Sequence, residues 1–352
     1  MEWNRPVPES ERLRILCMLP TLNPYGGVVS VVNLLNILAD RGHHVTLLSM
    51  SEISRDDVHP RMEPMFHPKG DPIGDAHAAH DIFMATWWET APPIADLHRR
   101  RGSGSAFYFI QDIESDFYPE EDVTTREAVH ATYDLIPNRL VKTAYLEERL
   151  RAAGVAAHRI PPGMDLDIYY PRSGAPSTRP PGVVAMARPG SSADHRGFEI
   201  LQAVYRSIAD TRPDVALASF GASLDRDELP GTNHGRLEPS QLPALYSAHP
   251  VYVDVSRVHG FGRTGVEAMA CGCATVLSAS GGVSEYARDG ENAIMVPVGD
   301  VDATVAAIID LLADPSRMDR LAAQASVTVA DFSDYRAANV VENLFRSSLA
   351  AP

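Results

Sequence analysis

Short apolar runs alternate along the chain with longer segments in which apolar residues recur every three or four positions. The first pattern is typical of strands buried on both faces of a sheet, and the second of amphipathic helices. We predict strands at residues 13–19, 44–49, 82–85, 106–110, 134–136, 183–187, 215–220, 251–255, 274–277 and 293–296. We predict helices at residues 28–39, 142–153, 198–209, 239–248, 264–270, 284–288 and 301–313, with another from Pro315 and a last one at 335–349. This alternation predicts an α/β fold whose parallel sheets carry helices on both faces.

The alternation is interrupted at residues 161–182, where six prolines fall within a short stretch. Proline-rich segments of this kind are typical of connections between domains. We therefore predict two doubly wound domains with a cleft between them. The last predicted helix, at 335–349, follows no further strand, so it could close the second domain or cross back to the first.

Composition and charge limit the classes of function. The 352 residues include 31 basic and 46 acidic side chains, which gives a net charge of −15. Binding to nucleic acid or to an anionic membrane surface requires a basic face, so neither is expected. The sequence contains no apolar stretch long enough to span a membrane, and its first residues contain no apolar leader segment. We therefore expect a cytoplasmic protein without a transmembrane span.

The three cysteines, Cys17, Cys271 and Cys273, are too few for a disulfide framework. Cys271 and Cys273 flank a single glycine, but two thiols without matching histidine or cysteine ligands make a poor zinc site. We interpret all three as small buried side chains and expect no metal site.

The densest glycine-rich segment, at residues 259–262, follows the predicted strand at 251–255. Ligands of open parallel sheets bind beyond the carboxyl ends of the strands, where loops lead into helices. Glycines at such a place let backbone N–H groups approach a ligand near the positive end of the next helix. A glycine pair at 281–282 repeats the arrangement after the strand at 274–277. Neither segment has the spacing of a dinucleotide fold or a P-loop, so we predict an anion site of another kind.

Two arginines follow the predicted strand at 183–187. Arg188 comes directly after it, and Arg196 precedes the next helix. Planar guanidinium groups suit phosphate oxygens, so the pair could clamp a diphosphate; the alternative is a pair of solvated surface arginines. Glu267 lies early in the helix at 264–270, where it is either a helix cap or an acceptor for sugar or ribose hydroxyls.

The order of these segments resembles that of the retaining glycosyltransferases of family 4, the glycosyl transferases group 1, which have the GT-B fold. The resemblance rests on segments spread over most of the chain: Gly26-Gly27, 41–45, Gly163-Met164-Asp165, 237–248, 259–272, 281–285, 289–292, 296–300 and Phe332-Ser333. It implies two Rossmann-like domains that face each other across a cleft. An acceptor-binding domain would comprise residues 1–163 plus 334–352, and a nucleotide-sugar-binding domain residues 164–333.

The resemblance also implies roles for individual residues. Glu267 would bind the nucleotide ribose, and Arg188 and Arg196 would clamp the diphosphate. The implied donor-binding residues are Gly26, Gly27, Arg188, Arg196, His259, Gly260, Phe261, Gly262, Arg263, Thr264, Glu267 and Gly282. His259 stands where the family usually has a glutamate close to the donor sugar. His195 is an alternative to Arg196 as the second cation.

The implied acceptor contacts are Tyr25, Gln111 and Asp112. Residues 107–114 and 117–119 resemble rhamnosyltransferase-like members of the family, with Gln111 and Asp112 where many members have a histidine. Asp112 is the candidate general base if a protein base is used; otherwise the leaving phosphate oxygen would accept the proton of the acceptor hydroxyl. The residues expected to carry catalysis are Asp112, Arg188, Arg196 and Glu267.

The expected reaction is transfer of a hexosyl or deoxyhexosyl group from a nucleotide-diphosphate sugar to a hydroxyl of a glycan or secondary metabolite, with retention. The nucleotide sugar and this acceptor are the expected partners, and no metal ion or other cofactor is expected. Two alternatives stay open at this point. One is a nucleotide-sugar epimerase or phosphorylase on the same fold, and the other is a catalytically degenerate glycosyltransferase-like partner subunit.

Overall fold

The computed structural model describes residues 5–22, 26–51, 62–190 and 195–350. The chain divides into two compact units, one formed by Met1–Gly163 with Ser333–Pro352 and the other by Met164–Phe332. These boundaries coincide with the predicted ones at residue 163 and lie one residue away at 333. The acceptor-binding and donor-binding roles of the two units stay predictions.

Unit 1 is built on a sheet of seven parallel strands. The strands are β1 (Arg14–Leu19), β2 (His44–Ser49), β3 (Glu63–Phe66), β4 (Ile82–Ala85), β5 (Ser105–Phe109), β6 (Asn138–Val141) and β7 (His158–Arg159). Their order in the sheet is β3-β2-β1-β4-β5-β6-β7. The first four helices of the chain also belong to this unit: α1 (Gly26–Asp40), α2 (Ala91–Arg101), α3 (Val123–Thr132) and α4 (Ala144–Ala152). Strand order reverses between β1 and β4, which is the arrangement of a Rossmann-like fold.

Unit 2 repeats this plan with six parallel strands. The strands are β8 (Gly182–Met186), β9 (Ala216–Phe220), β10 (Thr232–Asn233), β11 (Val251–Asp254), β12 (Ala274–Ser278) and β13 (Ile294–Val296). Their order is β10-β9-β8-β11-β12-β13. The helices are α5 (Phe198–Thr211), α6 (Leu242–Ala248), α7 (Arg263–Ala270), α8 (Val301–Ala313) and α9 (Pro315–Val329). The strand order reverses between β8 and β11, and ligands of such sheets bind at this point. The predicted α/β class and doubly wound sheets are confirmed.

Several predicted elements are wrong in place or type. The strand predicted at 134–136 is a turn, and the strand follows it as β6, directly after Pro137. Leu135 is 40% exposed, so its apolar character did not indicate a buried strand. The helix predicted at 284–288 is a 3-10 turn at Gly281–Glu285. Helix α3 was not predicted, because it buries only Val129 and Thr132 and has little apolar periodicity.

The last helix, α10 (Asp334–Ala350), belongs to unit 1 and packs against α1. Ala338, Val341 and Phe345 enter the same hydrophobic core as the strands of the first sheet. The ring of Phe345 lies 4.7 Å from the ring of Phe107 in β5, in an edge-to-face arrangement. The sequence left open whether this helix closes the second domain or crosses back to the first. In the structure it crosses back and packs in unit 1.

A charged cluster ties α10 to the end of α1. Arg41 donates to Glu342 at 2.8 Å, and Arg346 donates to the same carboxylate at 2.8 Å. His43 Nε2 lies 3.3 Å from Glu342 Oε1. Burial alone would raise the pKa of Glu342, but these three partners lower it to about 2. The carboxylate is therefore ionised at neutral pH.

Replacing Glu342 by glutamine is expected to lower the free energy of unfolding at pH 7 by about 1.5–3 kcal/mol, the usual scale of hydrogen bonds to a charged group. The carboxylate's folded pKa lies below its unfolded value of about 4.3. Its contribution is therefore complete above that value and is lost as pH falls toward 2. Urea unfolding of both proteins at pH 7 and at pH 3 should show the difference shrinking in acid. A difference that grows in acid would contradict this account.

Candidate functional site

Three loops meet at the carboxyl edge of the second sheet, behind β8, β11 and β12. A side chain on Gly197, which precedes α5, would place its Cβ 2.5 Å from the carbonyl oxygen of Val255. A Cβ on Gly281 or Gly282 would overlap the carbonyl of His259 or Gly260. The loops thus contact each other backbone to backbone, and glycine is required where they touch.

The predicted glycine pair is used to assemble these loops. The amide of Gly282 donates to the carbonyl of His259 at 2.8 Å, so this N–H is engaged inside the unit. Its contribution to the region is the absence of a side chain. Its predicted contact with a donor sugar stays a prediction, and this hydrogen bond does not favour a role as an amide donor to ligand.

Tyr286 holds the start of α7. Its hydroxyl donates to the carbonyl of Gly262 at 2.9 Å, and Gly262 has a φ of +81°, which favours glycine. A Cβ on Gly265 would lie 2.5 Å from the Tyr286 hydroxyl. Phe261 packs on the same ring, with 5.6 Å between ring centres. The positive end of α7 is therefore held at the edge where the three loops meet.

Asp254, the last residue of β11, is a buried carboxylate with four donors. Its Oδ1 accepts from the Ser256 amide at 2.9 Å and lies 3.2 Å from His259 Nε2. Its Oδ2 accepts from Tyr252 at 3.2 Å and from Thr264 at 3.3 Å. Burial would raise the pKa of Asp254, but His259 and Ser256 lower it well below its usual range. Asp254 carries no sequence signal beyond its position at the end of a predicted strand.

Beside this carboxylate, His259 contacts Arg196, and the charges of Arg196 and Arg188 both act on His195. Arg196 Nη1 donates to His259 Nδ1 at 3.0 Å. The pKa of His195 is lowered to about 3, first by burial and then by the charges of Arg196 and Arg188. His195 is therefore neutral at pH 7, and the two arginines supply the positive charge. The two arginines thus act electrostatically on the same histidine, and their role as a diphosphate clamp stays a prediction.

Glu267 lies one turn inside α7, in the interior of unit 2. Arg263 Nε donates to its Oε1 at 2.8 Å, and the Tyr246 hydroxyl donates to its Oε2 at 3.2 Å. Tyr169 is a further hydrogen-bond partner, and burial raises the pKa of the carboxyl. The helix begins at Arg263 after Gly262, so the interpretation of Glu267 as a helix cap is wrong. Its role on a ribose stays a prediction, as do the donor contacts of Arg263 and Thr264.

In unit 1 the predicted residues lie where α1 begins and β5 ends. A Cβ on Gly27 would lie 3.2 Å from the Gln111 amide, so Gly27 and Gln111 are neighbours. Lys142 is buried there, and its Nζ donates to Ser30 at 3.0 Å and to Gln111 at 3.3 Å. Lys142 was not among the predicted site residues, because the predicted helix at 142–153 included it. Gly26 opens α1, Asp112 follows β5, and Tyr25 lies outside the described residues.

The thiols are buried, and the described ranges contain no group of three or more histidine, cysteine or acidic residues placed to hold a metal ion. Burial raises the pKa of Cys17, Cys271 and Cys273. Cys273 contacts the carbonyl of Tyr246 at 3.2 Å, as a small side chain within the core. In the described part of the chain, no helix combines the length and apolar character that a membrane crossing would require.

Residues 232–327 match the family model described as Glycosyl transferases group 1. The chain is 29% identical over 202 residues to a GDP-mannose-dependent alpha-(1-6)-phosphatidylinositol monomannoside mannosyltransferase of Mycolicibacterium smegmatis, a match that covers 49% of this chain and 52% of the relative. It is 27% identical over 304 residues to D-inositol 3-phosphate glycosyltransferase 1 of Catenulispora acidiphila, which covers 77% of this chain and 73% of the relative. The first match thus spans about half the length of that relative.

Solved structures match over nearly the whole chain. Sucrose-phosphate synthase from Thermosynechococcus elongatus superposes with a TM-score of 0.82 at 22% identity, covering 97% of this chain and all of that one. Anabaena HepE, solved with UDP-glucose, superposes with a TM-score of 0.78 at 19% identity, covering 96% of this chain and all of that one. These structures share the fold of two Rossmann-like units. The chain is thus a glycosyltransferase with the GT-B fold, similar to the Glycosyl transferases group 1 family over residues 232–327.

Proposed function

We propose that this chain transfers a hexosyl or deoxyhexosyl group from a nucleotide-diphosphate sugar to a hydroxyl of a glycan or secondary metabolite, with retention and without a metal ion. The observation that carries the proposal is that the charges of Arg188 and Arg196 both act on His195, at the edge of the second sheet where α7 begins. Two guanidinium groups and a helix N-terminus are suited to stabilise a diphosphate as it leaves.

The names of the relatives support this class of donor. The first relative is described as GDP-mannose-dependent, and the HepE structure contains UDP-glucose. We infer that GDP-mannose and UDP-glucose are the first two donors to test here. A family 4 assignment and a rhamnosyltransferase-like preference are part of the same proposal, so dTDP-rhamnose is the third. A cytoplasmic location stays a prediction.

In the proposed reaction, the bond between the anomeric carbon and the phosphate oxygen breaks as positive charge develops on the sugar. Arg188 and Arg196 stabilise the negative charge that grows on the diphosphate. The leaving phosphate oxygen accepts the proton of the acceptor hydroxyl, which then attacks the same face of the sugar. Asp112 in unit 1 is the alternative proton acceptor, and Tyr25 and Gln111 are proposed contacts of the acceptor.

Replacing Arg188 by alanine is expected to weaken donor binding by about 1.5–3 kcal/mol, the scale of a hydrogen bond to a charged group. The donor is first identified by thermal shift with the three nucleotide sugars, and its affinity is then measured by calorimetry. Arg212→Ala is the matched control, because it removes the same charge from an exposed arginine whose partner is Asp214. Equal donor affinity in Arg188→Ala and in the control would show that Arg188 does not bind the donor.

The same donor, incubated with a hydroxyl acceptor, tests the reaction itself. We expect turnover to persist in EDTA, and NMR of the product to show the anomeric configuration of the donor. Turnover that EDTA abolishes would overturn the metal-free mechanism, and an inverted product would overturn retention. Isomerised or phosphorolysed sugar formed without acceptor would favour an epimerase or phosphorylase.

A further inference from the structure

His259 lies buried between a carboxylate and a guanidinium group. Its Nε2 is 3.2 Å from Asp254 Oδ1, and its Nδ1 is 3.0 Å from Arg196 Nη1. A guanidinium group can only donate hydrogen bonds, so Nδ1 must be the acceptor. The ring proton is therefore on Nε2, which donates to Asp254. The two neighbours fix a single neutral tautomer of His259.

Asp254 is a rigid support for this ring. Its oxygens also accept from Ser256, Tyr252 and Thr264, so both oxygens are held by groups of the strand, of the loop after it and of α7. A carboxylate with this many donors stays ionised and has little freedom to rotate. The orientation of the His259 ring is thereby set by the fold and not by a ligand.

One nitrogen of the Arg196 guanidinium donates a hydrogen bond within the protein, and another is left without an acceptor among the described residues. One N–H group of its guanidinium donates to His259. Its Nε is buried and has no hydrogen-bond partner within the ranges that the structure describes. The backbone beside it is held by Gly197, whose close approach to Val255 leaves no space for a side chain. A buried donor of this kind is costly unless a ligand accepts from it.

We propose that His259 is a positioning residue: through the chain Asp254–His259–Arg196 it orients the Arg196 guanidinium toward the terminal phosphate of the leaving diphosphate. A neutral acceptor orients an arginine without compensating its charge, whereas a carboxylate at the same place would form an ion pair with it. His259 itself then cancels none of the positive charge of Arg196, which stays available to the phosphate. The inference rests on the proposed function and adds a role for the residue that departs from the family's usual glutamate.

The test compares diphosphates with monophosphates, because Arg196 is inferred to act on the terminal phosphate. Calorimetry is done with UDP and UMP, with GDP and GMP, and with dTDP and dTMP. His259→Leu should raise the Kd of the bound diphosphate about tenfold, the effect of one charge-assisted hydrogen bond, and change that of its monophosphate less than about twofold. In an Arg196→Ala background, His259→Leu should have no further effect on the diphosphate. His259→Asn places an amide oxygen at the position of Nδ1 and should restore most of the affinity.

Equal losses for diphosphate and monophosphate, or an undiminished effect in the Arg196→Ala background, would overturn the inference while leaving the proposed function intact. Wild-type protein that binds none of the six nucleotides would overturn both. If His259→Leu does not fold, 15N NMR of the histidine rings in the wild-type protein tests the inference independently. The inference requires a neutral ring protonated at Nε2, with an Nδ1 resonance that shifts in Arg196→Ala; protonation at Nδ1 would overturn it.

Discussion

Replacing Glu267 by alanine is expected to destabilise the protein by about 3–5 kcal/mol, because it leaves the charge of Arg263 buried without its partner. The side chains of Arg263 and Glu267 are 7% and 5% exposed, and Tyr246 would lose an acceptor as well. An arginine cannot escape this cost by losing its proton. Urea unfolding of the isolated variant at pH 7 measures the loss.

Removing the other partner of the ion pair, in Arg263→Met, should destabilise the protein less, by about 1–3 kcal/mol, because the remaining carboxyl can take up a proton. Burial already raises the pKa of Glu267, and loss of Arg263 removes the charge that opposes this. A group whose folded pKa lies above its unfolded value of about 4.3 loses stability as pH rises through that interval. The deficit of Arg263→Met should therefore be smaller at pH 5 than at pH 8.

Asp214→Ala serves as the control, since it breaks an exposed arginine–aspartate contact in the same unit. Its unfolding midpoint should stay close to that of the wild type. Equal deficits for Glu267→Ala and Arg263→Met at all pH values would contradict the asymmetry, and so would a deficit in Arg263→Met that shrinks as pH rises.

Replacing Gly282 by alanine is expected to cost about 2–3 kcal/mol, the range of overpacked sites, because the new Cβ would overlap the carbonyl of Gly260. Neither partner is a flexible side chain, so the loops behind β11 and β12 must separate. We expect the proposed transferase activity to fall about 100-fold, the usual consequence of displacing a binding group by about 1 Å. Unfolding curves and kcat/KM on the identified donor measure both effects.

Gly290→Ala is the matched control for this substitution. Gly290 has a φ of +69°, but no atom lies within 4 Å of a Cβ built there. It should lose about 1–2 kcal/mol through backbone strain alone and keep its activity. If Gly282→Ala retains wild-type activity, the two loops do not need their present separation.

Strand positions were predictable where burial on both faces leaves an apolar run, as in β2 and β4, whose bounds match the prediction. Prediction of strands from apolar runs failed where the apolar residues do not belong to a buried strand. Leu135 belongs to a turn, Ile136 lies outside any strand, and β6 carries Arg139 in its middle. Helix α3 buries too few residues to show a helical period. These cases depend on tertiary contacts that no local pattern contains.

In the candidate site, too, some residues could be predicted from the sequence and others could not. Arg188, Arg196 and the glycines could be found because strand ends and loop glycines are visible in sequence. Asp254 and Lys142 could not, because each is a single polar residue whose meaning comes from neighbours distant along the chain. The partner of Glu267 was four residues away, yet nothing local shows that both side chains turn inward rather than toward solvent.

Helix α10 makes unit 1 discontinuous, with all of unit 2 inserted before its last element. During synthesis, the ribosome has delivered the whole of Met164–Phe332 before Asp334–Ala350 emerges. Unit 2 can then complete its core while the first sheet still exposes the apolar surface that Phe345 will cover. The order of maturation is thus the reverse of the usual N-terminal-first order. A released chain truncated before residue 334 should leave unit 1, and not unit 2, open to proteases and chaperones.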